Sequence, residues 1–390
     1  MTKSDDKRVP ALRFKGFTDD WEQRKLGDYG SVAMNKRIFK NQTNTNSGVP
    51  FYKIGTFGKK ADAFISKKLF EEYRKKYPYP KKGDLLISAS GSIGRVIEYT
   101  GQQAYYQDSN IVWLNHNDNL ENIYLKAYYQ IIHWSGIEGS TIKRLYNKNI
   151  LNTKIYVPIK DEQFKVGTII DQIEKLITLQ QRKLERLKSL KKAYLRLIFN
   201  TSESIHYLKD IAEYRRGSFP QPYTKREWYG GKDSQPFVQV ADVNTNLRLF
   251  SKTKETISKK AQQNSVFVPK DTIVVTLQGS IGRVAITQYD SYVDRTLLII
   301  TKLKKRIDKY YLAYALQEKF NIEKRKAPGG TIKTITKSTL SNFAIILPNF
   351  EKQSQQSQTL KTIDNEIYLI NKKLDKLVQF KQFLLQNMFI

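Results

Sequence analysis

The chain predicts an α/β (α+β) protein: two globular domains related by a pseudo-twofold axis and joined by two long helices paired as an antiparallel coiled coil. Three observations carry this. Residues 139–199 align without a gap with residues 329–389, a shift of 190. The globular stretches mix short apolar runs with one helical pattern each. Two further stretches place apolar residues at alternating spacings of three and four. Solenoid repeats run to roughly 20–50 residues, so a period of this length marks a duplicated domain.

The elements follow in chain order. Residues 1–20 are polar and mixed, with Leu12, Phe14 and Phe17 available to pack, and predict an extended lead-in. Residues 21–160 form the first globule. Its apolar runs, such as Leu85, Leu86, Ile87 and Ile111, Val112, Trp113, are bounded by Gly, Asn and Asp and predict strands. A helix is predicted over 123–132 and, in the second copy, over 310–320, with Tyr124, Ala127 and Tyr128 answering to Tyr310, Ala313 and Tyr314. Residues 161–200 form the first long helix, whose stripe reads Ile170, Ile173, Ile177, Leu184, Leu187, Tyr194 and Ile198. The regular pattern covers about 33 residues, or about 50 Å at 1.5 Å each. Residues 201–350 form the second globule. Residues 351–390 form the second long helix, with Leu360, Ile363, Ile367, Ile370, Leu374, Leu377, Leu384 and Met388 on its stripe. Lys191 and Lys381 put a charge at the same stripe position in both copies. Pairing Ile173, Ile177, Leu184 and Leu187 with Ile363, Ile367, Leu374 and Leu377 covers both stripes. The alternative is that each helix packs on its own globule.

The chain has 390 residues, 67 basic against 37 acidic, for a formal charge of +30. Such an excess points to a polyanion, with double-stranded DNA the first candidate and a membrane surface the second. No run of 18 apolar residues occurs and the first ten residues lack a signal-peptide core, so a soluble, cytoplasmic protein is expected. Without cysteine there are no disulfides or thiolate sites. His116, His133 and His206 lie far apart without ligand spacing, so no metal site is expected.

Three features suit nucleic acid. The hexapeptide GSIGRV follows an apolar run in both copies, at 91–96 and 279–284. Gly91, Gly94, Gly279 and Gly282 permit tight turns and close approach of a large partner. Ser92, Arg95, Ser280 and Arg283 project from the same places, and arginine can fork onto guanine or pair with phosphate. A plain turn with a solvated arginine is the competing reading. Thr141 and Lys143, with Arg144 beyond, recur as Thr331 and Lys333 and suit either phosphate contact or a strand start with an outward lysine. The stretch 214–228 mixes Arg215, Arg216, Lys225 and Arg226 with Phe219, Tyr223 and Trp228, as in nucleic-acid surfaces or in a solvated basic loop.

Catalytic signatures are missing. There is no phosphate-binding G-x-x-x-x-G-K-[ST] loop and no G-x-G-x-x-G opening a helix. No Ser, His and acid set is readable. Asp108 and Asp294 occupy matching places after tyrosines and are expected to be strand-end turn residues.

The opening PALRFKGFTDDWEQRKLGDYG, the duplicated layout, the GSIGR turns and the basic helix IDQIEKLITLQQRKLERLKSLKKAYLRLIF together resemble the specificity subunit of type I restriction-modification enzymes. The resemblance covers essentially the whole chain. It implies two target recognition domains, each reading one half of a split DNA sequence, and two helices that set the gap. It implies no catalysis and no cofactor on this chain. Two methyltransferase subunits using S-adenosylmethionine to methylate adenine are the implied partners, with motor-nuclease subunits using ATP and Mg. The second copy's helix is less basic, with Gln379, Phe380, Gln382 and Phe383 where the first has Ser189, Leu190, Lys192 and Ala193. A stand-alone DNA-binding regulator or architectural protein, built from the same paired readers, is the competing class.

Overall fold

The computed structural model describes residues 8–135, 144–200, 204–244, 246–326, 335 and 337–390. The chain divides into two compact units, residues 1–181 with 373–390, and residues 182–372. Each long helix is therefore divided between the two units.

The first unit is built on an antiparallel sheet ordered Gly30–Ala33, Ile111–His116, Leu85–Ser88, Val96–Glu98. Leu85–Ser88 is buried throughout, as expected of a central strand covered on both faces. One face packs on the helix Asn122–Tyr128 and the two long-helix segments; Trp21, Leu114, Tyr124, Ile173 and Phe389 share one core. The other face packs Trp113 and Leu86 against Phe57 and Tyr106 beneath a smaller sheet. Among the described residues the second unit repeats this plan. Its main sheet runs Ala212–Arg216, Leu297–Leu303, Ile273–Thr276, Val284–Ile286, with Leu247–Arg248 added at the far edge, and a four-stranded sheet lies beside it.

The long helices are Lys160–Phe199, 40 residues, and Phe350–Asn387, 38 residues, about 60 and 57 Å at 1.5 Å per residue. Both begin nearly three turns before the regular stripe, just after Pro158 and Pro348. Buried Gln163 and Gln353 hold these starts. The Gln163 carboxamide accepts from Glu121 N (2.9 Å) and donates to Pro158 O (2.9 Å); that of Gln353 accepts from Asp308 N (3.0 Å) and donates to Pro348 O (2.7 Å).

Within each unit the two helical segments run antiparallel, which accounts for the lysines on the stripes. In the second unit Lys191 Nζ lies 2.6 Å from Asp364 Oδ1, and Lys183 pairs with Glu366. In the first unit Lys381 Nζ lies 2.7 Å from Glu174 Oε1. Shifting Lys191 and Glu174 by 190 gives Lys381 and Asp364, so one crossed pair occurs twice. Ile173, Leu184 and Ile363 are buried; Ile177, Leu187, Ile367, Leu374 and Leu377 are half-buried on the same stripes.

The structure corrects one sequence expectation. The shorter helices are Asn122–Tyr128 and Lys309–Lys326, and their equivalence is displaced by one residue from the expected register. Tyr124 Oη donates to Tyr156 O, and Tyr311, not Tyr310, makes the equivalent bond to Ile346 O. Alternating Tyr and Ala in both segments permits either alignment, and the tyrosine hydroxyls decide it. The lead-in is also anchored. Leu12 N donates to Asn387 O, and the Arg13 guanidinium forks onto the fully buried carboxylate of Glu162 at 2.7 and 2.8 Å. That bond raises the Arg13 pKa.

Candidate nucleic-acid interface

The GSIGRV segments are tight turns at one end of each main sheet, closed in the same way. In the first unit Ser88 N donates to Arg95 O and Gly94 N to Ser88 O, while the Ser88 hydroxyl accepts from Arg95 N and donates to Ser92 O. In the second, Thr276 replaces Ser88: its hydroxyl accepts from Arg283 N at 2.9 Å and donates to Ser280 O at 2.6 Å. A buried hydroxyl at the strand end thus holds each loop. Gly91, Gly94, Gly279 and Gly282 all have positive φ, from +61° to +79°, where glycine is favoured. Gly94 and Gly282 also face aromatic rings: a Cβ would lie 2.9 Å from Trp134 Nε1 in one and 2.5 Å from Phe320 Cδ1 in the other. Retention of the motif is therefore partly structural.

Ser92, Arg95 and Ser280 are exposed, whereas Arg283 is half-buried and donates to Val243 O at 3.3 Å. Arg144 joins the first turn: it bridges Ser90, donates to Ser109 O at 3.4 Å and lies 5.7 Å from the Tyr146 ring. Thr141, Lys143, Thr331 and Lys333 lie outside the described residues.

In the second unit Arg215 and Arg216 sit exposed at the end of an edge strand. Arg216 pairs with Leu298, which pairs with Val275 beside Thr276, so this strand end and the turn share one end of the sheet, two strand spacings or about 10 Å apart. Tyr223 comes to the same end through its bond to Asp294 Oδ2, and the Arg295 guanidinium lies 5.1 Å from its ring. Burial and the neighbouring Asp294 push the Tyr223 hydroxyl well above its ordinary value, so it remains a donor. Asp294 is a turn residue, accepting from Thr296 N at 2.9 Å; Asp108 pairs with Arg37 at 2.8 Å.

Lys225 and Arg226 are less available than the sequence suggests for the pair. Arg226 is exposed, but Lys225 and Lys260 both bind Glu227 and flank the Trp228 ring at 5.0 and 5.3 Å. Their hydrogen bonds hold the Glu227 carboxyl below the usual range.

Sequence reasoning missed a basic groove of about 690 Å³ in the second unit, where Arg283 meets Lys188, Lys191, Lys192 and Arg196 of the first long helix. Spacing at i, i+4 and i+8 was a signal for one helical face; the approach of Arg283 was not readable. Among the described residues no three His, Cys, Asp or Glu side chains are grouped to hold a metal, and no helix is long and apolar enough to cross a membrane.

The family model for the type I restriction modification DNA specificity domain matches residues 18–189 and again 205–379, and the chain belongs to this family. A type I restriction enzyme specificity subunit of Haemophilus influenzae is 55% identical over 152 residues, 39% of this chain and 40% of that protein's length. One from Methanocaldococcus jannaschii is 25% identical over 394 residues, spanning 93% of this chain and 91% of that one. The fold is similar to that of a crystallised type I restriction-modification S subunit from M. genitalium, with a TM-score of 0.68 and 14% identity over 98% of this chain and 99% of that one.

Proposed function

We propose that the chain is the non-catalytic specificity subunit of a cytoplasmic type I restriction-modification complex. Each unit reads one half of a bipartite duplex site, and the two helices set the gap. The single observation behind this reading is that one DNA-specificity family model matches both copies. Gly91, Ser92, Gly94, Arg95 and Arg144 form the first unit's reading end. Gly279, Ser280, Gly282, Arg283, Arg215 and Arg216 form the second's. Phosphate attraction brings each unit to DNA without sequence preference. Joining two readers makes the second contact intramolecular, and a stiff connection confines that gain to correctly spaced sites.

The partners in this reading are two methyltransferase subunits, carrying S-adenosylmethionine, and motor-nuclease subunits, carrying ATP and Mg. Leu176, Leu179, Val378, Phe380 and Phe383 in the first unit, and Leu190, Leu197 and Leu369 in the second, stand exposed on the helices and offer apolar docking surface. An adenine methylated within a duplex has to be swung out of the stack into a partner's pocket; this chain supplies the grip. Mapping methylated adenine in cells with and without the gene tests the proposal. A split motif that vanishes with the gene supports it; an unchanged map, with no copurifying methyltransferase, favours a stand-alone regulator.

A further inference from the structure

We infer that the basic groove of the second unit is a phosphate-binding cleft for the DNA backbone, without a counterpart among the described residues of the first unit. The cleft faces Arg283 of the turn with one face of the first long helix. Lys188, Lys192 and Arg196 recur every fourth residue, so they stand on one face, and all three are exposed. Its carboxylates are already engaged: Asp364 binds Lys191 and the Tyr314 hydroxyl, and Glu318 accepts from Asn321. Lys188 has only the exposed Glu185 beside it, while Lys192 and Arg196 have no acidic partner among the described residues. Lysine and arginine facing one groove with this positive excess suit phosphate oxygens.

The duplication supplies an internal control. At the positions 190 residues later the second long helix carries Val378, Lys381, Gln382 and Gln386. Lys381 is held by Glu174, as Lys191 is by Asp364. The crossed pair is thus retained in both copies, while the three outward cations occur in one. Packing alone does not require them, since Val378, Gln382 and Gln386 occupy exposed positions on an equally well-formed helix.

This inference rests on the DNA reading above. The test measures binding of the full chain to a random-sequence duplex across a salt series, for wild type and for the variant K192Q/R196Q, which installs the chain's own second-copy residues. Each phosphate contact contributes about 0.9 to the slope of log affinity against log salt, so the variant should lose about 1.8 from it. A control, K68Q/K75Q, removes two exposed lysines from the helix Lys67–Lys76 and should leave the slope unchanged. An unchanged slope in K192Q/R196Q, or an equal loss in the control, overturns the cleft. A wild-type chain without salt-dependent duplex binding overturns the DNA reading itself.

Discussion

Replacing Lys191 by Met removes one partner of the crossed ion pair while keeping the volume of the stem. The carboxylate of Asp364 then keeps only the Tyr314 hydroxyl, at 2.7 Å. Burial and Asp364 hold that hydroxyl far above its ordinary pKa, so it continues to donate and does not replace the lost charge. Exposed ion pairs contribute about 0–1 kcal/mol, whereas removing one partner of a buried pair costs about 3–5 kcal/mol. Lys191 and Asp364 keep 19% and 14% side-chain exposure, so the pair falls between these limits, and K191M should cost about 2 kcal/mol. Asp364→Leu should cost a similar amount, because it strands Lys191 and the Tyr314 hydroxyl. The double variant should cost about as much as either single one, giving a coupling of about 2 kcal/mol. Backbone hydrogen exchange over residues 182–199 and 350–372 reads this directly as local opening free energy. Additive single effects, agreeing within about 0.5 kcal/mol, would refute the claim that the pair holds the two segments in register.

Arg13→Ala leaves the fully buried Glu162 carboxylate without its forked partner and should cost the first unit about 3 kcal/mol, read by urea unfolding. Gly282→Ala adds a Cβ 2.5 Å from Phe320 at φ +76° and should cost about 3 kcal/mol; Gly94→Ala meets only the Trp134 ring tip and should cost about half that, by thermal melting. Burial pushes the Asp171 carboxyl up, but hydrogen bonds from Lys175 and Lys126 outweigh it and hold the pKa below its ordinary value. Its contribution is therefore full above the ordinary aspartate range and lost as pH falls through the lowered value. Burial pushes Lys126 down, yet bonds to Asp171 and Glu98 raise it, so its contribution fades only as pH rises through the raised value. Asp171→Asn should flatten the acid limb of the melting profile.

Much of the fold was legible because duplication repeats information. The helices could be read from their stripes, and the charge at Lys191 and Lys381 was visible in both copies, but not its partner. Naming Asp364 and Glu174 required the antiparallel register, which depends on contacts between segments nearly 200 residues apart. Gln163 and Gln353 were equally visible at the 190 shift, but a glutamine among charged residues gives no sign of burial. The turns at 91–96 and 279–284 were recognisable, though not their bracing by Ser88 and Thr276 or the packing of Phe320. The cleft needed both levels: three cations on one helical face were readable, and Arg283 opposite them was not.

In the proposed function, helix length sets the distance between the bases read by the two units. Inserting seven residues after Gln181 and seven after Lys372 preserves both stripes and lengthens each helix by about 10 Å, or about 3 base pairs. Methylated-adenine mapping of cells carrying this variant should return the same two half-sites with a gap wider by about 3 base pairs. The original gap, methylated as efficiently as before, would show that helix length does not set the spacing.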